Sequence, residues 1–208
     1  MRRGTAVWLA AALVSVGCRP AEQAPVIDPR LARYVPEDAS ALAGFRPEAL
    51  KGLAGGFAGD RYVLIAIRGS EMVTMTIGAD GAVHGQPAMA GRGHSPLLGE
   101  AEKLAAHNPG WAVIRGGTAL PLEGNLANLN RLLRDAELLT IAAQFGDRIA
   151  IDLAATCSTE ETAANFEGSL RAILALTRVA ASAQVQRDGR RVNASLTAST
   201  ESVSKLLR

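Results

Sequence analysis

The plainest pattern in the chain is an alternation of apolar and polar positions over residues 138–157. Apolar side chains recur at Leu139, Ile141, Ala143 and Phe145, then at Ile149, Ile151, Leu153 and Ala155. A period of two marks a strand with one buried face. Cross-strand partners share a face. Both sets therefore meet on one side when Phe145 pairs with Ile149, Ala143 with Ile151 and Ile141 with Leu153. That register makes Gly146, Asp147 and Arg148 a three-residue loop, and a one-residue slip would turn Arg148 and Asp152 to the apolar side. Beyond the second strand, Ser158 stands three residues before Glu161, the spacing of a capping box. Ala163, Phe166, Leu170, Ile173, Leu174 and Leu176 then form one apolar stripe at helical spacing. The pattern predicts a long helix packed on the apolar face of the hairpin.

The flanking segments read in the same way. Residues 40–45 predict a short strand, and Pro47 opens a helix through Leu50 and Leu53. Residues 62–68 and 72–78 predict a second hairpin. Its apolar face is Val63, Ile65 and Ile67 with Val73, Met75 and Ile77, if Gly69, Ser70 and Glu71 make the loop. A short strand follows at 82–84. Ser95-Pro96 starts a helix to about residue 107, residues 111–115 predict a strand, and Asn125 caps a helix through Leu126, Leu129, Leu132 and Leu133. Strands at 183–187 and 191–198 flank Asp188-Gly189, a favoured two-residue turn that sets Val185 opposite Val192 and Ala183 opposite Ala194. A short helix at 200–207 ends the chain. Strand, helix, hairpin, helix thus occurs twice. The expected fold is α+β: an antiparallel-rich sheet with helices packed on one face, built from two βαββα units plus a terminal β-hairpin and helix. The repeat halves would be residues 34–110 and 111–208.

The first 33 residues belong to a different class. Arg2 and Arg3 precede an apolar run over residues 6–16, then Gly17 and Cys18. A basic start, a short apolar core and a small residue before the cut describe a signal peptide, and the run is shorter than the ~20 residues a span needs. The stretch Leu13-Val14-Ser15-Val16-Gly17-Cys18 resembles a bacterial lipobox, with Ser15 where the pattern usually has Leu. The resemblance implies cleavage after residue 17, lipidation at Cys18 and a membrane anchor of two or more acyl chains, enough for stable attachment. Arg19 in place of Asp resembles the outer-membrane-sorted pattern of enteric lipoproteins. Residues 18–33, with Pro20, Pro25 and Pro29, read as an extended tether, and the domain as 34–208. The phrase Pro36-Glu37-Asp38-Ala39-Ser40 resembles the opening of certain uncharacterised bacterial exported proteins. That resemblance covers only this phrase, the lipobox and the element order, and it carries no active residues.

Charge and cysteine content follow from this division. Loss of residues 1–17 removes Arg2 and Arg3, so the 22 Lys and Arg fall to 20, equal to the 20 Asp and Glu. A neutral mature chain leaves no nucleic-acid footprint. Cys157 is the one cysteine besides Cys18, which excludes an intramolecular disulfide framework.

Candidate chemistry is sparse. Cys157 precedes a helix N-terminus, where thiol pKa values fall, yet it has no His or Cys neighbour and reads as a packed corner residue. His84, His94 and His107 match no metal spacing; the first two flank the glycine-rich loop 85–93, and His107 suits a helix C-terminus. Gly55, Gly56 and Gly59, and Gly91 and Gly93, lack the residues of a phosphate loop or dinucleotide fingerprint. Arg190-Arg191 reads as solvated, and Asn193-Ala194-Ser195 as a chance sequon. No catalytic, metal or cofactor residue is nominated. The expectation is a non-catalytic envelope lipoprotein that binds an unidentified protein or ligand. The alternatives are a periplasmic enzyme with a site near loops 84–95 and 116–124, and a secreted domain without lipid.

Overall fold

The structure is a computed structural model that describes residues 27–50, 57, 59–85, 94–121, 129–177 and 180–202. In chain order it contains α1 (Pro29–Ala32), β1 (Ala41–Phe45), a 3-10 turn (Pro47–Leu50), β2 (Asp60–Arg68), β3 (Glu71–Gly78), β4 (Val83–Gly85) and α2 (Leu97–Ala105). β5 (Gly110–Arg115), α3 (Leu129–Asp135), β6 (Ala136–Phe145), β7 (Arg148–Cys157), α4 (Glu160–Thr177), β8 (Ala180–Asp188) and β9 (Arg191–Ser199) follow. All nine strands form one sheet in the order β4-β3-β2-β1-β5-β6-β7-β9-β8, and each pairing is antiparallel. The fold is α+β with an antiparallel-rich sheet, as the sequence predicts. The two halves share that sheet because β1 pairs with β5.

The hairpin β6–β7 has the predicted register, with Phe145 opposite Ile149, Ala143 opposite Ile151 and Ile141 opposite Leu153. The hairpin β2–β3 does not. Arg68 pairs with Glu71 across a two-residue turn, so Val73, Met75 and Ile77 lie opposite Ala66, Leu64 and Tyr62. Gly69, at φ +58°, supplies the left-handed conformation that such a turn requires. The β8–β9 turn is Gly189-Arg190, one residue later than predicted, which sets Val185 opposite Ala194 and Ala183 opposite Leu196. The pairing moves by an even step, so the apolar face is kept.

The helices do not share one face of the sheet. Leu42, Ala66 and Val113 pack in a cluster with Leu31 of α1 and with Leu98, Ala101 and Ala105 of α2. Their neighbours Ala41, Ile67 and Ile114 pack in a second cluster with Leu132 and Leu133 of α3 and with Ala163, Phe166 and Leu170 of α4. Successive strand residues point to opposite faces, so α1 and α2 cover one side and α3 and α4 the other. The physical reason is that β1, β2 and β5 are apolar at nearly every position and bury both faces.

Other expectations shift at their ends. Residues 27–33 are not tether: Ile27 and Leu31 are 2% and 0% exposed, burial worth about 1.5–3 kcal/mol each. Asp28 caps α1 by accepting from the Arg30 amide at 2.8 Å, with Pro29 in the first turn. The cap of α4 is Thr159 rather than Ser158. Its Oγ1 accepts from the Thr162 amide, and its own amide donates to Thr162 Oγ1. The predicted helix after Pro47 is a single 3-10 turn. Residues 51–56 and the predicted cap Asn125 lie outside the described residues, as does most of the expected last helix.

One polar pair sits inside the first cluster. Trp111 Nε1 donates to Tyr62 Oη at 3.1 Å, and both residues are buried. Burial pushes the Tyr62 phenol from its usual 10.0 up to about 12. The folded state therefore keeps a proton that the unfolded chain releases near pH 10. Stability is complete below pH 10 and should fall by about 2–3 kcal/mol as pH rises to 12. Urea unfolding at pH 9 and pH 12 measures the drop, and Tyr62→Phe should remove that share of it.

The outer strand β8 is long and carries no proline. Asp188 and Arg191 flank a two-residue turn and form a hydrogen-bonded pair, so by alternation the Val185 carbonyl faces away from β9. Arg171 of α4 donates to that carbonyl at 2.6 Å while Glu167 holds the same guanidinium at 2.8 Å. A covered carbonyl blunts an edge against pairing. Arg171→Ala should raise the dimer fraction over wild type in light scattering at high protein concentration; an unchanged monomer fraction would show that the edge is closed by something else.

Candidate functional site

The chain leaves the centre of the sheet at Gly116-Gly117, and these two glycines shape a depression at the strand ends. A Cβ on Gly116 would lie 1.6 Å from the Ala136 carbonyl oxygen, where α3 turns into β6. Gly117, at φ +74°, reverses the chain in a conformation that side chains disfavour. The amides of Gly116 and Gly117 donate to the carbonyls of Glu137 and Leu133 at 2.8 and 2.7 Å. Further along, Asn130 of α3 accepts from the Leu120 amide at 2.9 Å and donates to its carbonyl at 3.0 Å. The loop 116–121 is thus held to α3 at two points.

Three separate segments meet here. Ser40, the 69–70 turn and residues 115–121 enclose a depression of about 560 Å³, within the range of ligand pockets. Thr118 is 7% exposed and ties the segments together. Its Oγ1 donates to the Arg115 carbonyl at 2.6 Å and approaches the Ser40 carbonyl at 3.2 Å. Ser40 Oγ donates to the Ile67 carbonyl at 3.2 Å. Both hydroxyls are committed to the backbone, so neither is poised as a nucleophile. Arg115 is the one charged residue among the described residues lining the depression. Ala119, Leu120 and Pro121 form an apolar wall.

Of the two loop regions expected to hold a site, 116–121 lines the depression. The described residues of 84–95 do not, and 86–93 lie outside the described residues. His84 is exposed on β4, 3.8 Å from an Asp80 carboxylate oxygen. His94 is exposed ahead of α2. His107 follows α2, and its carbonyl accepts from Gln144. Among the described residues no group of three or more His, Cys, Asp or Glu could hold a metal ion. Gly59 serves a turn at φ +96°, whereas Gly55, Gly56, Gly91 and Gly93 lie outside the described residues, as does Cys18. Arg190 donates to the Ser158 carbonyl ahead of α4, whereas Arg191 donates to Asn193 within β9, and both arginines are exposed. Sequence reasoning missed Ser40, Ser70 and Arg115; the available signal was an arginine immediately before a Gly-Gly pair.

Comparison with protein-family models, with curated proteins and with solved structures finds no match to this chain. Among the described residues, no helix is long and apolar enough to cross a membrane.

Cys157 is fully buried at the end of β7. Burial, with the Asp135 and Glu137 carboxylates nearby, pushes its thiol up rather than down, which is the signature of an inert cysteine. In the native protein at pH 8, iodoacetamide should leave Cys157 unmodified over hours, and in 8 M urea it should alkylate it fully. Peptide mass mapping reads both states, and rapid native labelling would contradict the packed-corner assignment.

Proposed function

We propose that this chain is a non-catalytic cell-envelope lipoprotein, anchored through a lipidated Cys18, whose domain binds a partner or ligand at the depression beside Gly116-Gly117. The observation that carries the binding half is the chemistry of that depression. The Ser40 and Thr118 hydroxyls donate to backbone carbonyls, and the described residues lining the depression include three apolar side chains at 119–121 and one charged side chain. Such a surface recognises a molecule without reacting with it. The lipobox-like sequence before Cys18 supports the anchor. Ile27 is already in the core, so residues 19–26 are left as the link, with an extended reach of about 25 Å. On that tether the domain stays close to the bilayer, and Arg19 supports the outer membrane. The alternative, a periplasmic enzyme using the same loops, needs a nucleophile or acid–base pair, and the committed hydroxyls of Ser40 and Thr118 weigh against it.

Intact mass of the membrane-extracted protein tests the anchor. The wild type should begin at Cys18 and carry diacylglycerol and acyl mass, and Cys18→Ala should lose it. An unmodified wild-type chain in the soluble fraction would instead support a secreted domain.

A further inference from the structure

We infer that the depression beside Gly116-Gly117 takes a small amphipathic acid, with its carboxylate or phosphate held by Arg115 and its short apolar body lying on Ala119, Leu120 and Pro121. This rests on the binding reading above and names the ligand class. Arg115 ends β5, and its guanidinium makes no ion pair or hydrogen bond among the described residues. Several other arginines are paired, and Arg115 is set apart from the unpaired ones by lining the depression. Arg68, beside the 69–70 turn, is paired with Glu71 at 2.8 Å, Arg171 and Arg187 with Glu167, and Arg30 with Asp28. Arg115 is therefore an available cation in a depression whose described lining includes no carboxylate.

A guanidinium presents a planar fork of donors that matches carboxylate and phosphate oxygens two at a time. Ser70, in the 69–70 turn, adds a hydroxyl with no intramolecular partner among the described residues. The Leu120 amide and carbonyl are both held by Asn130, so this residue brings its apolar side chain rather than its backbone polar groups to the lining. A cation, a hydroxyl and three apolar residues lining one depression fit a molecule that is charged at one end only. A volume of about 560 Å³ suits a small molecule rather than a macromolecular segment.

Titration calorimetry of the full chain in amphipol, free of detergent, tests the assignment with octanoate, octyl phosphate, octanol and acetate. Octanoate and octyl phosphate should bind, and octanol and acetate should bind at least about tenfold more weakly. Arg115→Gln should bring both acids down to the octanol level and leave octanol unchanged, Arg115→Lys should restore part of the loss, and Ala119→Trp should block all binding by filling the pocket. Octanol binding as well as octanoate, or an unchanged Arg115→Gln, would overturn the ligand class and leave the pocket as a binding site. Acetate binding as tightly as octanoate would overturn the role of the apolar wall. Silence of every probe, or octanoate binding that survives Ala119→Trp, would overturn both this inference and the binding reading beneath it.

Discussion

The whole sheet depends on how closely β1 and β5 approach each other's side chains at the seam between the halves. β1 is only five residues long, yet it pairs with β2 on one side and β5 on the other. At its fourth residue, Gly44, a Cβ would meet the Trp111 ring at 2.5 Å and the Tyr62 hydroxyl at 2.6 Å. The indole therefore occupies the space that a side chain at Gly44 would need, and Tyr62 fixes its nitrogen. Glycine recurs on the other side of β5, against β6, for the same steric reason. The Phe145 ring fills the space beside Gly110, and the Ala136 carbonyl fills the space beside Gly116. β5 begins with one of these glycines and is followed by the other. The depression at its far end is thus a consequence of the packing that joins the halves.

Around this seam the two faces divide the work. α1 and α2 bury the side centred on Leu64, Met75 and Val113, while α3 and α4 bury the side centred on Leu139, Ala155 and Val192. Only the central strands serve both. Outward from β5, the face opposite α4 turns polar, with Gln144, Asp152, Asn193 and Ser195 exposed. Ser195 Oγ donates there to the Asp152 carboxylate at 2.5 Å. That is the alternation expected of an antiparallel sheet with one wet side.

This division explains which parts of the fold were legible in the sequence. The β6–β7 register could be read because those strands alternate, and a slip would have carried Asp152 inward. β2 has no such marker. Residues 62–67 are apolar without a break, so odd and even positions satisfied the pattern equally, and the turn alone decided between registers. The same doubly buried strands hid the placement of helices on both faces. α1 was hidden by composition: three prolines suggested a tether, although Asp28-Pro29 is also the signature of a cap and first helical turn. Of the candidate site, the loop after Gly116 could be anticipated from its glycines. Its pairing with Ser40 and the 69–70 turn could not, since those segments meet only through the β1–β2 and β1–β5 pairings.

The strand order at the C-terminal side sets a timetable for assembly. β7 pairs with β9, and β8 lies outside it, so the last strand of the sheet to be synthesised is an interior one. Until residues 191–199 leave the ribosome, β7 has no partner on that side and β8 has no partner at all. The helix that spans the gap, α4, must wait on one flank of an unfinished sheet, with Phe166 and Leu170 still to be fully covered. The pairings from β4 to β7 need no residue beyond Cys157, so it is this flank of the sheet alone that closes late and non-locally.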